Sequence, residues 1–317
     1  YGGRVEARMT GGGGSSSADL FFRRLTGFVG TPTLGQLRFG SGNVQAVEQM
    51  YVGHIMGTIG TGLWDGDGSG DFFYFGQGGS APNSFWYSSS VVNRSTAIGY
   101  YSPQFFGFDF GISFAPNEKG FLGDCSSAVT IPGCDRVSTV AAGNANQLRN
   151  IIDAMIRYRG TFGPVGLALS GGLRTASTAS ATGAATPFKN PTVGIIGGEV
   201  SFAGFTVGGL TYFGNANRGF TAVPKGGNND GMFAWQLGAR YTIGALTIGA
   251  AYHELKAEGS TAAAADRRDR GFGLGASYAL APGLALFGEY LWGRVRENGV
   301  DFDFGKVGVQ DRFKTQV

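Results

Sequence analysis

Alternation between large apolar residues and small or polar residues is the feature that most constrains how this chain can fold. Residues 108–115 read FDFGISFA, with an aromatic or aliphatic side chain at every second position. Segments 165–173, 235–243 and 272–280 repeat the pattern. Because successive side chains on a strand point to opposite faces, each segment predicts a β-strand with one apolar face and one small or charged face.

The alternating segments predict strands whose connections alternate in length. Fourteen strands are predicted, near residues 1–10, 20–31, 33–42, 94–103, 105–116, 149–161, 164–175, 192–202, 204–213, 233–243, 245–256, 270–280, 283–296 and 311–317. Long polar segments lie near 11–19, 43–93, 117–148, 176–191, 214–232, 257–269 and 297–310. Tight turns with Pro or Gly join the remaining pairs. Short turns on one side and long loops on the other are typical of a closed antiparallel barrel in a bacterial outer membrane.

Composition excludes several other classes of protein. Aromatic residues make up 13% of the chain, which is too many for a disordered tail. The net charge of +3 is weak evidence for nucleic-acid binding, and none is predicted. No stretch reaches the roughly 18 apolar residues that a transmembrane helix needs. A soluble β-sandwich would bury its apolar faces, but it gives no reason for such regular alternation of loop lengths.

Five segments carry a resemblance to a known family. They are residues 22–30, 34–40, 98–108, 235–241 and 279–284. The sequence resembles the general diffusion porins of Gram-negative outer membranes, through motifs that are loose individually but follow the expected order. The resemblance implies a water-filled channel for passive diffusion of small hydrophilic solutes and ions. It also implies a homotrimer in the bacterial outer membrane, in contact with lipid and lipopolysaccharide.

The fold that this resemblance implies is all-β, a transmembrane antiparallel β-barrel with 16 strands in the full protein. In the family the long inward loop follows the fifth strand, whereas here the longest segment, about 43–93, follows the third predicted strand. We therefore expect residues 1–317 to form a single β-barrel domain that corresponds to strands 3 to 16. The first two strands and the end of the last would then be absent. The 43–93 segment is expected to fold inward as the constriction loop.

Charged residues on the predicted inner face are candidates for the selectivity of the pore. The predicted pore-lining basic residues are Arg4, Arg8, Arg24, Arg38, Arg157, Arg159, Arg174 and Arg240. In the family such a cluster faces acids on the inward loop, and here the loop offers Glu48, Asp65, Asp67 and Asp71. These acids are expected to approach Arg4, Arg8, Arg24 and Arg38. Alternatively, some of the arginines lie at the rim and bind lipid or water.

A short acidic run within the long loop has a second interpretation. Asp65, Asp67, Ser69 and Asp71 follow the spacing at the start of a calcium-binding loop. The bidentate Glu expected at the twelfth position is missing, because Gly76 stands there. The run is therefore either a Ca²⁺ site completed from elsewhere or a flexible acidic loop tip. No other cofactor is predicted.

The two cysteines and two histidines allow further hypotheses. Cys125 and Cys134 lie in one predicted loop and are predicted to form a disulfide if the compartment is oxidising; the alternative is two free thiols. His54 and His253 are predicted to be solvated or pore-lining, so the chain is not expected to be an enzyme. The main alternative function is a substrate-selective outer-membrane channel with a binding site in the constriction. Weaker alternatives are an outer-membrane barrel enzyme that uses these histidines and a soluble β-protein.

Overall fold

The strands and the single short helix are defined for most of the chain. The computed structural model describes residues 1–10, 19–42, 44–55, 95–118, 148–178, 188–217, 220–225, 231–258, 266–282, 284–297 and 300–313. In these ranges the elements are β1 Gly2–Thr10, β2 Asp19–Thr31, β3 Gly35–Ser41, α1 Ala46–Met50, β4 Thr96–Tyr101, β5 Phe108–Asn117, β6 Leu148–Phe162, β7 Val165–Thr178, β8 Thr192–Phe202, β9 Phe205–Asn215, β10 Met232–Ile243, β11 Leu246–Glu258, β12 Asp266–Ala281, β13 Leu284–Glu297 and β14 Val300–Phe313.

All fourteen strands belong to one antiparallel sheet. Each strand pairs with its neighbours in sequence, so the order in the sheet is β1 to β14 without a crossover. This confirms the all-β prediction. In the described ranges no helix is long and apolar enough to cross a membrane. The described pairings do not include one between β1 and β14, so closure of the sheet and the count of 16 strands stay predictions.

The two faces of the sheet are reversed relative to those of a soluble protein. On β5 the large side chains of Phe108, Phe110, Ile112 and Phe114 are between 41% and 50% exposed, while Asp109 is buried. Leaving such side chains in water costs roughly 1.5–3 kcal/mol each relative to full burial, so this face requires an apolar surrounding. We call it the outer face. The opposite face, on which α1 packs, is the inner face.

Tight turns at one end of the sheet keep the strands in register. The β8–β9 turn consists of Ala203 and Gly204, which both have positive φ angles, of 48° and 85°. Two such residues form the type of two-residue turn whose twist matches that of paired strands. A Cβ at Gly204 would lie 2.5 Å from the carbonyl oxygen of Thr242, so glycine is required there. The long connections, such as 42–95 and 118–147, lie at the other end.

The last strand corrects one boundary of the sequence prediction. A long loop was predicted over 297–310, but β14 spans Val300–Phe313, and residues 298–299 alone separate it from β13. The acids in this region suggested a polar loop, although they alternate with apolar residues at strand spacing. In the sheet, Asp301 lies opposite Arg296 and Asp303 lies opposite Arg294. The register therefore places both acids within the strand.

Candidate functional site

A short stretch of chain after β3 lies against the inner face. This inner segment, residues 44–55, contains α1 and contacts β4, β5, β6 and β7. Its side chains Val44, Val47, Met50 and Ile55 are buried. Sequence analysis predicted that the loop 43–93 folds inward, and its described part does so. Residues 56–94 lie outside the described part of the chain.

Backbone amides of the inner segment are held by side chains of three strands. Ala46 N donates to Ser113 Oγ at 2.9 Å, and Val47 N donates to Asp153 Oδ2 at 3.2 Å. Further along, Val52 N donates to Ser170 Oγ at 3.0 Å. The first amides of a helix have no partner within it, so a carboxylate and a hydroxyl on the wall satisfy two of them.

Glycines on the inner face make room for the inner segment. This glycine patch comprises Gly99, Gly111, Gly197, Gly208 and Gly238. A Cβ added at Gly238 would lie 2.8 Å from Ile55 Cβ, and one at Gly208 would lie 2.9 Å from Ile55 Cδ1. Such distances are shorter than real Cβ contacts. Any larger side chain in the patch would therefore displace the segment from the wall.

A buried charged group connects the inner segment to β6 and β7. Arg174 is 1% exposed and donates from Nε and Nη2 to the two carboxylate oxygens of Asp153, at 2.8 Å each. Arg174 Nη2 also lies 3.7 Å from Glu48 Oε1. The prediction that Arg174 lines the pore is therefore wrong, because this side chain lies beneath the inner segment. The expected partners of Glu48 are corrected as well: its ion pair is with Arg174.

Burial changes the acidity of Glu48. It raises the pKa of the carboxyl from 4.5 to about 7, with a further increase from Asp153, whereas Arg174 and the more distant Arg24 lower the pKa. The loss of hydration outweighs the attraction of the two arginines, because the carboxylate is almost fully removed from water. Glu48 therefore changes its charge near neutral pH.

A second group of arginines meets the inner segment at the short-turn end. Arg38 Nη1 donates to Gln49 Oε1 at 2.6 Å, and Arg157 Nη1 donates to the Gln49 carbonyl oxygen at 3.3 Å. Arg157 also pairs with Asp109 at 2.6 Å, and Arg159 contacts the same carboxylate at 3.2 Å. Arg38, Gln49, Asp109 and Arg157 line a pocket of about 410 Å³, which we call the arginine pocket.

The remaining predicted arginines lie elsewhere on the inner face. Glu6 Oε2 accepts from Arg24 Nη1 at 2.7 Å and from Arg4 Nη2 at 3.2 Å, on the neighbouring strands β1 and β2. Arg240 is half-buried beside Thr206, near the short turns. The side chain of Arg8 lies outside the described part. The structure thus gathers Arg38, Arg157 and Arg159 at one place, whereas Arg4 and Arg24 meet at Glu6 and Arg240 lies near the short turns.

Comparison with known proteins identifies the family. A family model described as Gram-negative porin matches residues 1–298. The chain belongs to the Gram-negative porin family. The porin is accordingly a channel of the bacterial outer membrane. A comparison with curated protein sequences finds no match.

Solved structures of outer-membrane proteins share the fold of this porin. A loop L8 deletion mutant of OmpT, an outer membrane protein of Vibrio cholerae, has a TM-score of 0.52 and 16% identity over 98% of this chain and 84% of its own. OmpT in its trimer form has a TM-score of 0.51 and 16% identity over 98% of this chain and 85% of its own. OmpF of Salmonella typhi, in complex with daunomycin, has a TM-score of 0.51 and 12% identity over 86% of this chain and 71% of its own. At these identities the likeness shows the fold alone.

The prediction that the porin is not an enzyme is corrected by these neighbours. The first structures similar to it are OmpT of Vibrio cholerae, described as an outer membrane protein and not as a pore. A fold shared at 16% identity decides neither for nor against catalysis. The statement that the chain has no enzymatic activity is therefore withdrawn.

The histidines differ from their predicted environment. His253 is buried on the inner face, so the prediction of a solvated or pore-lining side chain is wrong for it. His54 belongs to the inner segment and lies edge-on to Tyr51, with ring centroids 5.9 Å apart. Burial lowers the pKa of His54 to about 4, so this side chain is neutral near pH 7.

Two of the predicted sites lie outside the described residues. They are the calcium ligands Asp65, Asp67, Ser69 and Asp71, and the cysteines Cys125 and Cys134. In the ranges that are described, no group of three or more His, Cys, Asp or Glu side chains could hold a metal ion. The Ca²⁺ site and the disulfide therefore stay predictions.

Sequence analysis missed the wall acids that orient the arginines. Asp109 lies opposite Arg157 in the sheet, and Asp153 lies opposite Arg174. Both acids occupy inner-face positions of predicted strands. Because alternate positions share a face, the acids could have been predicted to lie on the same face as the arginines. The glycine patch offered no comparable signal, because the chain contains 58 glycines.

We predict that Gly238→Leu changes the channel while Ala239→Leu does not. Gly238 lies beneath Ile55 on the inner face, and the adjacent Ala239 is exposed on the outer face. Overpacking by a large side chain costs about 1–3 kcal/mol, which here would be relieved by displacing the inner segment. Single-channel conductance in planar bilayers should shift for Gly238→Leu alone. Equal conductance of the two variants would show that the segment does not limit the pore.

We also predict that docking of the inner segment depends on pH through Glu48. Because the pKa in the docked state is raised, docking is most favourable below about pH 4.5 and weakens as the pH rises through 7, by at most about 3 kcal/mol. Hydrogen exchange of residues 44–55 should be slower at pH 5 than at pH 8, after correction for the intrinsic rate.

Two variants make this pH test specific. Glu48→Gln should abolish the difference between pH 5 and pH 8, whereas Glu199→Gln, an inner-face acid on β8, should retain it. His54 has the opposite dependence, because burial lowers its pKa from 6.5 to about 4, so every protein in this comparison also carries His54→Gln. The same pH dependence in the proteins with and without Glu48→Gln would contradict the assignment.

Proposed function

We propose that this porin is a passive, water-filled channel for small hydrophilic solutes and ions. Its narrowest part lies between the inner segment and the wall at the arginine pocket. The supporting observation is that Gln49 of the inner segment accepts hydrogen bonds from two wall residues, Arg38 and Arg157. The segment and the wall therefore approach each other there, across polar groups that water and polar solutes can also bind.

The charges at this place favour anions. Arg38 is held by the neutral amides of Gln36 and Gln49 and lies 4.9 Å over the ring of Tyr101. Arg157 and Arg159 share the single carboxylate of Asp109. Positive charge is therefore only partly compensated around the pocket. Uncompensated wall charge attracts ions of opposite sign by ordinary Coulomb interaction, so we propose a preference for anions.

The arginine pocket also supports a second candidate, a substrate-selective channel. A planar guanidinium that is fixed between two amides and an aromatic ring can bind a carboxylate in a defined orientation. A solute with that group would then block the ion current in a saturable way. Open diffusion gives a current that falls only in proportion to solute size and concentration, so titration with a small dicarboxylate separates the two candidates.

A homotrimer is the proposed assembly. Its support is that OmpT of Vibrio cholerae, which shares the fold, has been solved in a trimer form. The outer face is apolar along its strands, as on β5 and at Leu237 of β10. An apolar face of this kind packs equally well on lipid and on a second subunit, so composition alone does not separate the two.

We predict that removing both pocket arginines shifts ion selectivity towards cations. A unit charge about 8 Å from a passing ion contributes roughly 0.5–1 kcal/mol at an effective dielectric constant of about 40–80. Arg38→Gln with Arg157→Gln removes two such charges and should therefore lower the anion-to-cation permeability ratio at least about fivefold. The measurement is the reversal potential in a planar bilayer under a salt gradient.

Arg268→Gln is the matched control for the selectivity measurement. It removes the same charge from the outer face, where the side chain is 53% exposed. Its reversal potential should equal that of the unmodified protein. An equal shift in the control, or none in the double variant, would place the selective region elsewhere.

For the assembly, we predict three copies per particle. Light scattering of the protein in mild detergent, corrected for bound detergent, should give about three times the mass of the chain. A mass of one chain in several mild detergents would contradict the trimer and leave the channel proposal unaffected.

A further inference from the structure

A second part of the chain packs over the inner face, in the connection between β9 and β10. Its described residues are 216–217 and 220–225, and we call them the covering loop. Three of its apolar side chains are buried, with at most 6% of their surface exposed: Ala216, Phe220 and Ala222. They belong to the same buried apolar cluster as the side chains of the inner segment. The covering loop therefore folds onto the inner face instead of extending into water.

Backbone hydrogen bonds fix the covering loop on both sides of Phe220. Before this residue, Asn217 N donates to the carbonyl oxygen of Thr221 at 2.9 Å, which closes a tight loop around it. After it, the carbonyl oxygen of Val223 accepts from Lys189 N of the neighbouring long connection at 2.8 Å. The position of Phe220 over the wall is therefore determined by the backbone around it.

Phe220 has a backbone conformation that is unfavourable for a bulky residue. Its φ angle is 58°, in the left-handed region where residues with large side chains are rare. Glycine adopts this conformation without steric cost. A strained residue persists only where the surrounding structure holds it, and such residues concentrate at functional positions. We therefore expect the ring of Phe220 to make an interaction that a smaller side chain would not provide.

The ring of Phe220 contacts the buried guanidinium of Arg174. The Cζ atom of Arg174 lies over this ring, 5.6 Å from its centroid. A cation within about 6 Å of an aromatic ring is attracted by the quadrupole of the ring, and the attraction is stronger where water is excluded. Arg174 is only 1% exposed, so water does not weaken this contact.

The same guanidinium also reaches the inner segment. Arg174 Nε lies 2.8 Å from Asp153 Oδ1, and Arg174 Nη2 lies 3.7 Å from Glu48 Oε1. Asp153 in turn accepts the backbone hydrogen bond of Val47 N. Because one guanidinium makes all three contacts, a displacement of the ring of Phe220 would disturb both ion pairs that hold the inner segment.

We propose that Phe220 is a positioning residue of the pore. From the covering loop it holds Arg174 where the guanidinium pairs with Asp153 and Glu48, and it thereby fixes the inner segment. The inner segment is then held at two ends: by the arginine pocket near the short turns and by Phe220 near the long connections. The effect on conductance rests on the function proposed above, in which the inner segment borders the narrowest part of the pore.

The test compares Phe220→Leu with Phe220→Tyr by hydrogen exchange of residues 44–55, at one fixed pH in detergent. Leucine keeps an apolar side chain but has no ring, so exchange should become at least about tenfold faster. Tyrosine keeps the face of the ring, so exchange should stay close to that of the unmodified protein. A residue that only filled apolar space would give the reverse order, because tyrosine brings a hydroxyl group into a buried place. Equal exchange in the two variants, or faster exchange in the tyrosine variant, would overturn the proposal.

Val223→Ala is the matched control within the covering loop. Val223 is fully buried but lies outside the apolar cluster that contains the inner segment. Its replacement should leave the exchange of residues 44–55 unchanged. An equal increase in this variant would show that any change in the covering loop releases the inner segment, which would overturn the specific role of Phe220. Exchange of the β12–β13 pair should be the same in every variant, since the sheet itself stays intact.

Single-channel conductance distinguishes this proposal from the function proposed above. Faster exchange together with a shifted conductance in Phe220→Leu would support both. Faster exchange with unchanged conductance would support the positioning role and contradict the placement of the narrowest part at the inner segment. Unchanged exchange would overturn the positioning role, whatever the conductance.

Discussion

Backbone hydrogen bonding in hydrocarbon is the constraint on which the rest of this structure depends. An amide without a partner costs several kcal/mol in the bilayer, so the chain satisfies each strand through its neighbours in a single sheet. The apolar side chains then point outwards, as Phe108 and Ile112 do, and no ordinary hydrophobic core can form between them. On the inner face, glycines, polar residues and buried apolar side chains such as Ile151, Ile195 and Leu210 together position the inner segment.

Apolar packing, steric fit and paired charge all hold the inner segment. Ile55 and Met50 pack where the wall has glycines, while Ser113, Asp153 and Ser170 hold the backbone of the inner segment. A buried ion pair contributes little net stability, because desolvation offsets much of its attraction. The ion pairs of Arg174 with Asp153 and Glu48 therefore act chiefly by positioning the inner segment. Any other placement of the segment would leave a buried charge unpaired and would be unfavourable. The raised pKa of Glu48 makes that penalty dependent on pH.

The sequence contained most of the fold and a smaller part of the site. Strand positions followed from strict alternation, which is why only β14, where Asp301 and Asp303 resembled a loop, was displaced. The inward loop followed from its length and apolar content. Contacts between distant residues could not be predicted from the sequence. The position of a residue along its strand tells which face the side chain occupies but not which side chain it contacts. Glu48 could therefore be expected on the inner face, while its partner on β7 could not be chosen among the inner arginines.

Two regions of the sheet carry arginines on opposite faces. Arg157 lies on the inner face of β6 and Arg270 lies on the outer face of β12, so its position along the strand alone decides which face an arginine occupies. A slip of one residue in pairing would exchange the faces of a whole strand. It would put Arg157 into lipid, at a cost of roughly 2–4 kcal/mol near the bilayer midplane. Tight turns such as Ala203–Gly204 thus protect both regions at once, because they fix the register on which every side-chain assignment depends.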